Sequence, residues 1–228
     1  MKNLNRDIRF IFFLVLILAG SMPAFAGTLL IFDNPKLVAL ESSGEIVGYY
    51  GTHDRTSSCG FFFSTIKEEG RSSEFDRTLP RPIETHVLAG PVYDYSHRDS
   101  PFDIPGKLFQ GPKGWMLQTS EIQAGCNNAS GTFEYGPDDL RAAWYFPVKK
   151  MPAINIRIIG RRTFLYVLRG GKLSATKSFL TGGSAVAIID RRRCFSNIRF
   201  VHPSTGKIAI GWVHTADLLN PFPPSTGY

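Results

Sequence analysis

The stretch from Ser178 to Leu219 constrains the chain most, because it reads as short strands joined by tight turns. Residues 184–189 (SAVAII) are rich in β-branched side chains and follow a Gly182-Gly183 turn. Residues 198–201 (IRFV) form a second run, and His202-Pro-Ser-Thr-Gly206 reads as a turn leading into a third run over residues 207–213. Side chains alternate along a strand, so Asn197, Arg199 and Val201 share one face while Ile198 and Phe200 share the other. Closure into a small barrel buries such strands without leaving a long exposed edge.

The order of these features resembles a bacterial SH3 domain. The likeness rests on Gly182, Val186, Gly206, Gly211, Trp212, Val213 and Leu218, in the pattern Phe-Leu-x-Gly-Gly-x-x-Val, strand, turn, strand, Gly-Lys, Gly-Trp-Val-x-x-x-x-Leu. Gly183 departs from it by standing where that family usually carries Asp, and Cys194-Phe195 replaces the aromatic before the middle strand. The resemblance implies a small SH3-like β-barrel over residues 151–219. It implies binding rather than catalysis, and fold and function remain separate inferences.

Ahead of this region the first 26 residues read as an export signal. Lys2, Arg6 and Arg9 precede an apolar run over residues 10–19 that is too short to span a bilayer, and Ala24-Phe25-Ala26 is a small-x-small cleavage pattern. Cleavage there leaves 202 residues with no membrane-spanning segment and lowers the formal charge from +7 to +5. The short basic start and the SH3 likeness together point to the periplasm. A positive exported chain is drawn to acidic surfaces such as peptidoglycan carboxylates, lipid phosphates or an acidic protein, whereas nucleic acid is not an expected partner there.

Three cysteines follow the signal: Cys59, Cys126 and Cys194. In an oxidising compartment two pair and one is left over, and of the three pairings Cys59 with Cys126 is favoured because both fall in residues 27–150. Cys194 is then expected as a small buried residue.

Residues 27–150 read as a β-rich domain, so the whole chain is expected to be mainly β. Runs over 28–32, 36–40, 45–50, 59–64 and 115–119 are strand-like, and a turn at Ser42-Ser43-Gly44 separates the second from the third. The aromatic residues of 48–51 and 60–63 fall on both faces of a pair of strands joined by the loop 52–58. Prolines 80, 82, 91, 101, 105 and 112 argue against helices in their neighbourhood. Thr132 to Tyr135 alternates like a strand, and Pro137 to Trp144 is the best short helix, with proline first and acids in its first turn. Residues 153–159 and 163–168 read as strands linked to the barrel, Arg169-Gly-Gly-Lys172 reads as a hairpin turn, and residues 220–228 read as a disordered tail.

No motif for a zinc helix, a phosphate loop, a serine elbow or a Cys-x-x-Cys pair occurs, so no cofactor and no metal is expected. Cys59 with His53, Asp54 or His86 supplies only loose parts of a thiol site. His53, His86, His97, His202 and His214 show no ligand spacing. The residues left to carry function are those of a binding surface. Arg191, Arg192 and Arg193 form a basic turn, Trp212 and Phe195 offer rings, and His53, Asp54 and Arg55 form a charged loop triplet. The reading that follows is a non-catalytic periplasmic binding protein, an inhibitor or immunity-type protein that blocks a toxin or cell-wall hydrolase. A peptidoglycan-binding protein is the alternative, and a peptidoglycan hydrolase with an SH3 targeting domain is the third reading.

Overall fold

The structure, a computed structural model, describes residues 27–53, 58–66, 79–88, 90, 92–112, 114–123, 126 and 129–224. The signal-like segment, Asp54 and Arg55, the polar stretch 67–78 and the last four residues lie outside the described residues. The chain is mainly β, arranged as two curled antiparallel sheets.

The first sheet holds β1 (Gly27–Phe32), β2 (Leu37–Ser42), β3 (Glu45–His53), β4 (Ser58–Thr65), β5 (Arg81–His86), β6 (Ile104–Gly111), β7 (Gly114–Thr119) and β8 (Pro147–Ala153), in the order β7-β6-β5-β4-β3-β2-β1-β8. Seven of them run as an antiparallel meander, with links of two to four residues except between β4 and β5 and between β5 and β6, where 15 and 17 residues intervene. The sheet curls until its edges meet, where Trp115 and Tyr145 exchange two main-chain hydrogen bonds of 2.8 Å. Inside the curl lie Phe32, Ile46, Tyr50, Phe61, Phe63, Ile83, Leu117 and Phe133. Burial of each such side chain stabilises by about 1.5–3 kcal/mol. Phe61 and Phe63 point inward while Phe62 between them points outward, so alternation accounts for aromatics on both faces of β4.

The second sheet holds β9 (Asn155–Ile159), β10 (Thr163–Arg169), β11 (Lys172–Leu180), β12 (Ala185–Arg192), β13 (Phe195–Val201), β14 (Ile208–His214) and β15 (Leu218–Leu219), in the order β11-β10-β14-β13-β12-β9-β15. Gly170 and Gly171, at φ +53° and +79°, make the two-residue turn between β10 and β11. A 3-10 turn, Thr215–Asp217, precedes β15. The buried carboxylate of Asp217 there accepts from Arg161 Nε at 2.7 Å and from Thr163 Oγ1 at 2.8 Å. A second core of Leu165, Val186, Ile188, Ile198 and Val213 fills this curl.

The outer face of the first sheet packs on the second. Leu29, Ile31, Leu40 and Phe62 meet Ile156, Ile158 and Ala187, and Phe222 closes the layer. The switch between the sheets falls at Ile154, between β8 and β9, where the sequence placed it after residue 150.

Several expectations are corrected. Residues 137–144 form successive turns rather than a helix. Eight residues nucleate a helix poorly, and the Asp139 carboxylate takes the Arg141 N–H at 2.9 Å in a local turn that competes with helix. Thr132 to Tyr135 is a bend that lodges Phe133 in the first core rather than a strand. The proline-rich stretch, read only as unfavourable to helix, holds β5 and β6 and two single 3-10 turns, Tyr95–His97 and Ser100–Phe102. Pro82 and Pro105 serve there as acceptors, Ile66 N–H donating to Pro82 at 3.0 Å and Ser120 N–H to Pro105 at 3.3 Å. Cys194 is exposed, because it follows Arg193 at φ +48° in the turn between β12 and β13. Residues 220–222 pack instead of trailing free, with Phe222 buried against Phe62.

Candidate functional site

Charge is divided between the sheets. Residues 27–153 carry 12 basic and 16 acidic side chains, a net −4, whereas residues 154–228 carry 11 basic and 2 acidic, a net +9. Of those two acids, Asp217 is engaged by Arg161 and Thr163, and Asp190 accepts the main-chain N–H of Arg191 at 2.7 Å. The second sheet is therefore a strongly positive body on a mildly negative one.

On the outer face of the second sheet Tyr166 of β10 pairs with Trp212 of β14. The Tyr166 ring stands edge-on to Phe195 at 5.2 Å, its hydroxyl lies 3.1 Å from His214 Nε2, and Phe195 lies 4.2 Å from the His214 ring. The Arg192 guanidinium sits 5.6 Å from the Trp212 ring centre, a cation-π approach. Trp212 is only 6% exposed, so Phe195 and Tyr166 offer more ring surface than it does. Phe164, Leu168, Ile208 and Ile210 are exposed on the same two strands. The structure thus brings Arg192, Phe195 and Trp212 together, with Arg191 and Arg193 exposed at the adjoining turn.

His53 lies elsewhere, lining a cleft of about 810 Å³ between the sheets. The Oγ of Ser204 donates to the His53 carbonyl at 3.0 Å and ties the β13–β14 turn to the end of β3. Two tyrosines line the cleft, each laid on glycines. A Cβ at Gly51 would come within 2.4 Å of the Tyr49 hydroxyl and one at Gly60 within 2.9 Å, while a Cβ at Gly182 would meet the Tyr93 ring at 3.2 Å. Burial pushes the Tyr49 hydroxyl up to about 12, so it stays protonated and can donate. Thr52, Ser58, Thr181, Ser184 and His202 add polar groups, and no Lys, Arg, Asp or Glu is among the described lining residues. The Nδ1 of His202 accepts the Ser204 N–H at 3.2 Å, which leaves Nε2 as the ring donor.

Cys59 and Cys126 are joined, with Sγ atoms 1.95 Å apart. Cys59 consequently has no thiol to act as a nucleophile. No group of three His, Cys, Asp or Glu side chains among the described residues is arranged to hold a metal ion, and no described helix is long and apolar enough to cross a membrane. Tyr49, Tyr93 and Tyr166 were not singled out by the sequence, and His214 was named only as a histidine without ligand spacing. The glycines at 51, 60, 182 and 183 were the available signal for the first two, since a ring laid flat on a sheet needs a neighbour without a side chain.

No family model, no curated protein and no solved structure matches this chain.

Proposed function

We propose that this chain is a non-catalytic periplasmic binding protein, exported by its first 26 residues, that binds and blocks a toxin or a cell-wall hydrolase through its second sheet. The observation that carries this reading is the Tyr166, Phe195, Trp212 and His214 cluster with Arg192 against it, on a sheet whose stretch of chain, residues 154–228, has a net charge of +9. Arginine and aromatic side chains at a desolvated centre are what protein interfaces use as anchors, and a one-sign field speeds encounter with an acidic partner. A scaffold tied by a disulfide and two packed sheets loses little freedom on binding.

The second sheet is proposed as an SH3-like barrel standing as its own domain. Support comes from the run of β12, β13 and β14 as consecutive neighbours, from β9 beside β12, and from the 3-10 turn that leads into the short closing strand β15. Peptidoglycan is the second reading, favoured by the same basic surface, since wall carboxylates complement it as an acidic protein does. A hydrolase carrying this sheet as a targeting domain is the least supported, because Cys59, the nucleophile the sequence offered, is bonded.

The test uses the mature, oxidised protein as bait for periplasmic and culture extracts, with purified sacculi sedimented in parallel. One stoichiometric protein partner, captured less well as salt rises, supports the inhibitor reading. Salt-resistant sedimentation with sacculi and no protein partner replaces it with wall binding.

A further inference from the structure

Arg199 of β13 is 6% exposed, yet its guanidinium makes no hydrogen bond and no ion pair among the described residues, and its Nε is buried without a partner. Its cross-strand neighbours are Ala187 and Ile210, both apolar. The nearest acid in the sequence, Asp190, pairs across the sheet with Asn197 and has its carboxylate on the Arg191 N–H. A guanidinium never gives up its proton in a protein, so burial without a counter-charge is costly. The chain keeps that charge in a wall between its two sheets.

Arg199 lines a hollow of about 20 Å³ whose other walls are mostly apolar, and four of its lining residues, Tyr49, Ala185, Val201 and Pro203, also line the large cleft. The cleft is lined by tyrosine rings, threonine and serine hydroxyls and two histidines, with no Lys or Arg among its described lining residues, so the neighbouring Arg199 is the cation nearest to hand. We propose that this cleft binds a ligand carrying one carboxylate, with Arg199 as the carboxylate's partner at the inner end and Tyr49 and Tyr93 as the walls against which the rest of the ligand lies. A single guanidinium suits a planar monoanion, which it meets through two parallel N–H donors. A phosphate dianion calls for more cations or main-chain donors than the cleft offers. The ligand's body is uncharged, with an apolar face for the rings and hydroxyl or amide groups for Thr181, Ser184 and the histidines. Two sources share this chemistry, a peptide C-terminus and an acidic sugar. Arg199 lies one cross-strand pair from Trp212 on the same face, but its substitutions leave Arg191, Arg192 and Arg193 in place, so the small-acid test is read independently of the proposed protein partner.

The test is calorimetric titration of the mature, oxidised protein with two acids, N-acetyl-alanyl-alanine and N-acetylmuramic acid, each beside its uncharged amide or ester. The proposal expects at least one acid to bind, its neutral form to bind at least about tenfold more weakly, and Arg199→Gln to remove the difference, because a buried donor set left unpaired discriminates strongly. Arg199→Lys should retain part of it, and Tyr93→Ala should weaken acid and neutral form alike. Which acid binds separates the peptide from the sugar source. Failure of both acids to bind, or equal binding of acid and neutral form, overturns the proposal. A second measurement needs no ligand: Arg199→Met should unfold at a temperature equal to or above that of the wild type, since it removes an unpaired buried charge and keeps the packing volume. A marked drop in that temperature would make Arg199 a structural residue and also overturn the proposal.

Discussion

His86 Nε2 donates to the carbonyl oxygen of Pro221 at 2.7 Å, so a fully buried histidine of the first sheet holds the segment that follows the last strand of the second. The ring stacks on Phe62 at 6.0 Å and meets Tyr95 edge-on at 5.0 Å, and its Nδ1 has no partner. Phe222, next in sequence to Pro221, packs on the other side of the contact against Phe62 at 5.7 Å. One imidazole therefore joins the two ends of the shared core.

That contact makes the fold sensitive to acid. Burial holds the His86 pKa below its ordinary value, with the Pro221 carbonyl pulling less strongly the other way. The unfolded chain then binds a proton that the folded chain refuses, so stability rises with pH through this window and falls as pH drops below about 6.5, the usual histidine value. The unfolding temperature should decline between about pH 7 and pH 5, and His86→Gln, which keeps a donor without titrating, should flatten the decline. An unchanged slope in the variant would assign the acid sensitivity to other groups.

The Cys59–Cys126 bond spans 67 residues and ties β4 to the segment that leads to Phe133, all within the first core. Replacing both cysteines by alanine should cost up to about 4 kcal/mol in the chain-entropy account. Denaturant melts of the oxidised protein, the reduced protein and the double variant measure it. The reduced and double-variant curves should coincide, while Cys194→Ser should melt with the wild type because that thiol is exposed.

Asp217 is buried while its partner Arg161 is largely exposed, so the value of this pair lies in the acid's environment more than in the surface arginine. Asp217→Ala leaves Thr163 Oγ1, itself buried, without its acceptor, and should cost about 2 kcal/mol. Arg161→Ala should cost less than about 1 kcal/mol, because water replaces most of what the arginine provides. Chemical denaturation of the two variants checks the order.

Gly51 and Gly60 face each other across β3 and β4, beneath the Tyr49 ring. Alanine at Gly51 should destabilise by about 1–3 kcal/mol and displace the ring, and alanine at Gly60, where the contact is less close, should do less of both. Near-ultraviolet circular dichroism follows the tyrosine, and thermal melts follow the cost.

Much of the second sheet was legible because its residues agree at every level. Gly170-Gly171 and Gly182-Gly183 sit at turns, and the runs at 184–189, 198–201 and 207–213 became β12, β13 and β14 with shifts of a few residues. β5 and β6 were not legible, because Pro82 and Pro105 look like breakers until a neighbour uses their carbonyls. The helix read at residues 137–144 failed through turn chemistry at Asp139 that local propensity does not weigh. The site was legible only in parts. Arg192, Phe195 and Trp212 meet as residues of one surface, but Tyr166 reaches them from β10, and the cleft depends on the packing of two sheets that no local pattern encodes.

The central claim is that the positive second sheet is the docking surface of a binding protein. The most direct measurement compares the oxidised wild type with an Arg191→Ser, Arg192→Ser, Arg193→Ser variant as bait, in low and in physiological salt, with sacculi present and the soluble fraction assayed for muropeptides. The account predicts one stoichiometric protein partner on the wild type, captured at least about tenfold less by the variant, in keeping with the loss of exposed charges that steer and anchor an acidic partner, and no muropeptide release. Equal capture by the variant would move the docking surface elsewhere, and release of soluble muropeptides by the purified protein would contradict the account outright.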